Sequence, residues 1–187
     1  MKEGIIHSTE LKKLIDRYNY VIVVLFSVTN LSPILIFYLQ GKGEWYWFII
    51  TLVTSLLINL LPNAIIDEIQ FSQSVSFYRN LGVHIFKRFA TSGDIINRQI
   101  RGKFPSYRNV HNLKSAELKL EETYTTEKLH WVFFIFSIET IIYIFLTKER
   151  LGIAILLIFS NIIFNFYPNL LQQYNRIRLK RVLKLPT

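Results

Sequence analysis

Hydrophobic and polar positions divide the chain into four long apolar stretches separated by polar sequence. They run over Tyr20–Leu39, Trp45–Ile66, Trp131–Leu146 and Leu151–Leu171. As helices, each has about the length that crosses a hydrocarbon core of ~30 Å, the third being the shortest. The pattern predicts an all-α integral membrane protein with four transmembrane helices paired as two hairpins. A single membrane domain, 1–187, takes in the whole chain, with a cytoplasmic amphipathic-helical section at 67–130. The first stretch does not read as a cleavable signal peptide. It follows a polar segment, Lys2 to Arg17, and lacks a small-residue cleavage pattern.

The connecting sequence is patterned too. The outer turns, "QGKGEW" and "TKERLG", are short, and Trp45, Trp47 and Trp131 stand at span ends, where interfacial aromatics belong. In "FYRNLGVHIFKRF", Phe77, Leu81, Ile85 and Phe89 recur every four residues among basic side chains. This predicts an amphipathic helix lying in the headgroup region. Turn residues Gly93, Gly102 and Pro105 follow, and "LKSAELKLEETYTTEKLHW" predicts a charged helix running straight into the third span.

Charge sets the orientation. The net charge is +9, and nineteen of the 22 Lys and Arg residues lie in the N-terminal segment, the central section and the tail. The positive-inside bias puts these three segments, and both termini, on the cytoplasmic side of the inner membrane. The basic excess then points to anionic lipid or substrate, and not to nucleic acid. Cysteine is absent, which excludes disulfides and thiol chemistry.

Two spans carry the same polar cluster, Asn-x-x-Pro-Asn: Asn59, Pro62, Asn63 in one and Asn165, Pro168, Asn169 in the other. At helical spacing, Asn59, Asn63 and Asp67 form one row and Asn161, Asn165 and Asn169 a second. Pro62 and Pro168 free carbonyls upstream. With Asn30 and Pro33 in the first span and Glu139 in the third, the expectation is a polar cavity open to the cytoplasmic leaflet. The plain alternative is hydrogen bonding between helices, at roughly 0.6 to 2 kcal/mol per contact. Glu139 is costly in lipid unless paired or neutral, with Asn30 or Asn161 as partner. Whether the hairpins are a true repeat is left open.

Of the four histidines, His130 stands at the cytoplasmic mouth of the third span, with Glu127 one turn before it. A carboxylate at that spacing can orient an imidazole as a general base. An interfacial histidine beside an exposed glutamate is the plain alternative. Glu-x-x-His occurs once, short of the two copies a di-iron bundle needs, so no metal is expected. Neither a Gly-x-Ser-x-Gly elbow nor a phosphate-binding Gly-x-x-x-x-Gly-Lys occurs, and no bound cofactor is expected.

"ETYTTEKLHW" and "QQYNRIRL" resemble the glycosyl-4,4'-diaponeurosporenoate acyltransferases, small membrane enzymes of staphyloxanthin-type carotenoid synthesis. The matching positions are Glu122, Thr123, Glu127, His130 and Trp131, then Gln172, Tyr174, Asn175, Arg176, Arg178 and Leu179. The likeness spans Phe77 to Leu179. Ile177 stands where the family has Pro, Gly93-Asp94 only loosely replaces its turn, and Glu139 has no counterpart.

The resemblance implies transfer of a fatty acyl group to a sugar hydroxyl of a glycosylated lipid, and the charge bias and polar rows put that step at the cytoplasmic leaflet. Acyl-CoA or an acyl carrier would be the donor co-substrate. On that reading His130, Glu127 and Glu122 are the catalytic candidates. Asn59, Asn63, Asn165, Asn169, Asn175, Asp94 and Glu139 are candidates for substrate binding. Lys87, Arg88, Arg176 and Arg178 are candidates for donor phosphates or headgroups. Two other readings stay open: a non-catalytic lipid-binding, transport or scaffolding subunit, and another lipid-modifying transferase. A homo-oligomer fits the first of these in particular, since four spans are few for a transporter.

Overall fold

The computed structural model describes residues 2–40, 44–90, 93–108, 110–148 and 150–186, and among them it is helical without a strand. Helix α1 (Lys2–Phe26) passes through a π turn, Ser27–Leu31, into α2 (Ser32–Leu39). Helix α3 (Trp45–Leu56) ends in a 3₁₀ turn, Leu57–Leu60. Four short helices follow: α4 (Asn63–Glu68), α5 (Val75–Asn80), α6 (Val83–Phe89) and α7 (Asp94–Lys103). The long α8 (Leu113–Thr147) leads to α9 (Leu151–Asn161), which runs through a second π turn, Ile162–Phe166, into α10 (Tyr167–Val182). The expected outer turns include residues 41–43 and 149, which lie outside the described residues.

Three helical stretches are long and apolar enough to cross a membrane: Glu10–Leu39, Leu113–Thr147 and Leu151–Val182. Trp45–Leu60 is apolar but shorter. Side chains are sorted for lipid. Val21, Leu25, Val28, Leu35 and Ile36 face outward, while Asn30, Ser137, Thr140 and Asn165 are buried. Polar groups inside and aliphatic groups outside reverse the pattern of a water-soluble bundle, and the chain is a membrane protein.

Proline explains why the second apolar helix stops early. Three Asn-x-x-Pro sequences occur, at Asn30–Pro33, Asn59–Pro62 and Asn165–Pro168. In the first and last, a π turn with the Asn as its fourth residue absorbs the missing N–H and the helix continues. In the second, Leu61 (ψ 132°) and Pro62 (ψ 155°) are extended, so the helix ends. The span expected over Trp45–Ile66 is therefore cut at Leu60, and the row Asn59–Asn63–Asp67 does not form. Asn59 is exposed at the helix end, and only Asn63 and Asp67 share α4. The two Asn-x-x-Pro-Asn copies thus adopt different backbones.

The amphipathic helix expected across Phe77–Phe89 is also interrupted. Gly82 adopts φ +76°, the left-handed region that glycine tolerates, and separates α5 from α6. Phe77, Leu81, Ile85 and Phe89 all remain exposed, from 39% to 65%. At Gly93 the chain passes so close to α6 that an added Cβ would stand 2.6 Å from the Ala90 carbonyl oxygen.

The charged helix expected to enter the third span does form, as the first half of α8. Asn112 caps it: its Oδ1 accepts from the Ser115 N–H at 2.9 Å and the Ser115 hydroxyl accepts from the Asn112 N–H at 3.0 Å. This helix is the mast of the fold, packing against α3, α9 and α10. One apolar core, around Phe37, Tyr38, Phe136, Ile144 and Leu157, joins it to α2 and α9. A second, around Tyr78, Val83, Leu170, Tyr174 and Ile177, seats α5 and α6 on α10. Beside the first core lies an apolar cavity of about 190 Å³, lined by Leu31, Ile34, Phe48, Leu52, Val132 and Phe133 among others.

Candidate active site

Where α8 crosses α10, a set of charged and amide side chains is buried. The Arg176 guanidinium, 0% exposed, donates through Nη1 to the equally buried Glu127 carboxylate. Its Nε lies 3.1 Å from both Gln70 Oε1 and Asp67 Oδ1, Nη2 reaches the Ile66 carbonyl at 3.3 Å, and the guanidinium sits over the Tyr124 ring. Asp67 also accepts from the Tyr124 hydroxyl and from Lys180, each at 2.9 Å. Every charge is paired, the condition under which buried ions persist.

Gln173 extends this network, and its orientation follows from its partners. A carboxylate only accepts, so Gln173 turns its Nε2 to Glu127 at 2.6 Å. Its Oε1 is left to accept from the Tyr78 hydroxyl at 2.9 Å and the Phe71 N–H at 3.3 Å. Burial pushes the Tyr78 phenol up to about 12. The network therefore ties the central section to the two long helices.

Glu127 does not hold His130, contrary to the sequence expectation. Its remaining bond comes from Trp131 Nε1 at 3.3 Å. The reason is the pull of Arg176, which draws the carboxylate to α10. Arg176 in turn is not a surface headgroup ligand. Arg178 is the exposed one, stacked on Tyr174 with its guanidinium carbon 5.4 Å from the ring centroid.

His130 lies instead beside the second polar row. Its neighbours are the Asn165 side chain and the Phe164 backbone, one turn before Pro168. Asn161, Asn165 and Asn169 are all buried. Asn161 Nδ2 donates to the Phe134 carbonyl at 3.2 Å, and Asn165 Nδ2 donates to Asn161 Oδ1 at 2.7 Å. Beyond that point the bonding runs out. His130 Nδ1, Asn165 Oδ1 and both amide atoms of Asn169 are buried without a hydrogen-bond partner. Buried polar groups are nearly always paired, so these four atoms stand out in the bundle.

The other sequence candidates are dispersed or paired elsewhere. Asp94 forms an ion pair with Lys87 at 2.9 Å, and Arg88 is exposed. Glu122, also exposed, pairs with Lys119 along α8. Asn63 donates to Glu121 at 3.2 Å, and Asn175 is half-buried. Glu139 bonds neither Asn30 nor Asn161: the Thr54 hydroxyl reaches its two oxygens at 2.8 and 3.0 Å. Asn30 joins Ser137 and Ser160. Among the described residues, no three His, Asp or Glu side chains converge as a metal site would require.

Residues 62–185, about two thirds of the chain, match the sequence profile of the glycosyl-4,4'-diaponeurosporenoate acyltransferases. The chain belongs to that family. Comparison with curated proteins and with solved structures returns no match. The acyltransferase-family region begins at the proline that ends the second apolar helix, and it contains His130, the Asn161–Asn169 row and the Glu127–Arg176 pair. The two motifs that carried the resemblance in sequence therefore meet in space. Gln173, Gln70 and Tyr78 were not candidates from sequence. Gln173 lies inside "QQYNRIRL", and its helical spacing from Asn169 was the one available signal.

Proposed function

We propose that this chain is a membrane-embedded O-acyltransferase that moves a fatty acyl group onto a sugar hydroxyl of a glycosylated carotenoid-like lipid. The observation that carries this reading is the buried, unpartnered amide of Asn169, one helical turn beyond His130's neighbour Asn165, in a chain of this acyltransferase family. It is the polar environment a sugar hydroxyl needs when it enters from lipid.

His130 acts as the general base. It takes the acceptor hydroxyl proton as the oxygen attacks the acyl carbonyl carbon of a thioester donor, acyl-CoA or an acyl carrier. Asn169 supplies its amide donor and acceptor to the sugar and to the tetrahedral oxyanion. The carbon–sulfur bond then breaks, and the thiolate recovers the proton from the imidazolium. The acceptor's apolar part extends toward the cavity at Val132 and Phe133, the residues that follow His130's neighbour Trp131. Exposed Arg88 and Arg178 face donor phosphates, while the Glu127–Arg176 network holds α8 and α10 in register and takes no proton.

Four crossings in two hairpins, with Trp45–Leu60 as a short second span, put the termini and the 67–130 section on the cytoplasmic side of the inner membrane. The basic residues of those segments support that orientation. Lipid mass spectrometry of cells with the protein, without it, and with His130→Ala tests the reading. A species heavier by one acyl chain only with intact His130 is expected. An identical lipidome in all three would favour a lipid-binding or scaffolding subunit.

A further inference from the structure

We infer that Asn161 and Asn165 are positioning residues that set the tautomer of His130, placing its proton on Nδ1 and leaving Nε2 as the base. This rests on the reading of His130 as the general base. The Phe134 carbonyl can only accept a hydrogen bond. Asn161 must therefore turn its Nδ2 to that carbonyl, the 3.2 Å contact observed. Its Oδ1 is then committed to accept, and Asn165 Nδ2 donates to it at 2.7 Å. Asn165 is left with only an oxygen to present, and that oxygen is buried and unpartnered.

His130 has the Asn165 side chain as its neighbour, and its Nδ1 is likewise buried and unpartnered. A proton on Nδ1 aimed at Asn165 Oδ1 resolves both orphans with one bond. A proton on Nε2 would set two lone pairs against each other. The chain of bonds thus runs in one direction, from His130 through Asn165 and Asn161 to the backbone of its own helix. A second group that fixes which imidazole nitrogen carries the proton is what a neutral histidine base requires.

The test is ¹⁵N NMR of histidine-labelled protein in lipid at mildly alkaline pH, where an ordinary imidazole is neutral. The His130 signals are assigned by their loss in His130→Ala. Wild type is expected to show the Nδ1–H tautomer, and an Nε2–H tautomer overturns the inference whether or not the protein folds as a variant. Asn165→Leu and Asn161→Leu are expected to lose the preference, while unchanged spectra in both would overturn it. Asn161→Asp keeps an acceptor for Asn165 but no donor for Phe134. It should retain the wild-type tautomer, whereas a spectrum like that of Asn161→Leu would mean that Asn161 merely anchors the helix. Because the readout is the ring and not the product, a failed acyl-transfer assay leaves this result interpretable.

Discussion

Arg176 on α10 and Glu127 on α8 form an ion pair in which neither side chain reaches solvent. The two residues are 49 positions apart in sequence and meet where α8 packs against α10. Asp67, Gln70, Gln173 and Lys180 complete the hydrogen bonding around them, so the ions are held by elements from three parts of the chain.

Removing one partner strands the other charge. Arg176→Met or Glu127→Leu alone should each cost about 3–5 kcal/mol. The double variant should recover much of that loss, since two apolar residues replace two desolvated ions. Thermal unfolding in detergent measures all four proteins. A double variant as unstable as the sum of the singles would show that the network's other bonds, and not the pair, are decisive.

Asn169 is expected to trade stability for function. Both of its amide atoms are buried without a partner, an arrangement that costs roughly 1–3 kcal/mol until something fills it. Asn169→Leu should therefore unfold at or above the wild-type temperature and yet form no acylated product. A variant that is both unstable and inactive would assign Asn169 a packing role.

Tyr78 makes stability fall at high pH. Its phenol is raised from an ordinary 10.0 to about 12 by burial, so the folded state holds its proton where the unfolded state releases it. The contribution is complete below about 10 and is lost as the pH rises toward about 12. Tyr78→Phe should remove that part of the decline, measured as unfolding midpoint against pH. A decline identical in wild type and Tyr78→Phe would contradict the assignment.

Local periodicity was enough for the helical membrane architecture, because a run of aliphatic residues in lipid has few alternatives to a helix. The entry of a charged helix into the third span was legible for the same reason, since nothing in Leu113–His130 breaks it. The fate of the three Asn-x-x-Pro sequences was not. A proline inside an apolar run can end the helix, as Pro62 does, or be absorbed in a π turn, as Pro33 and Pro168 are. All three share one spacing, so the sequence pattern does not distinguish these outcomes. The site shows the same division. His130 and the Asn161–Asn169 row were visible as residue types at helical intervals. The diversion of Glu127 to Arg176 was invisible, because a partner 49 positions away outbids one three positions away.

The most direct measurement is product formation by purified protein in lipid nanodiscs, supplied with an acyl donor and a glycosylated carotenoid, for wild type and His130→Ala. Transfer of one acyl chain is expected in wild type, with a rate lower by about 10²–10⁴ in the variant, the range that loss of a general base entails. Equal rates in the two proteins, at equal folded amounts, would contradict the role given to His130.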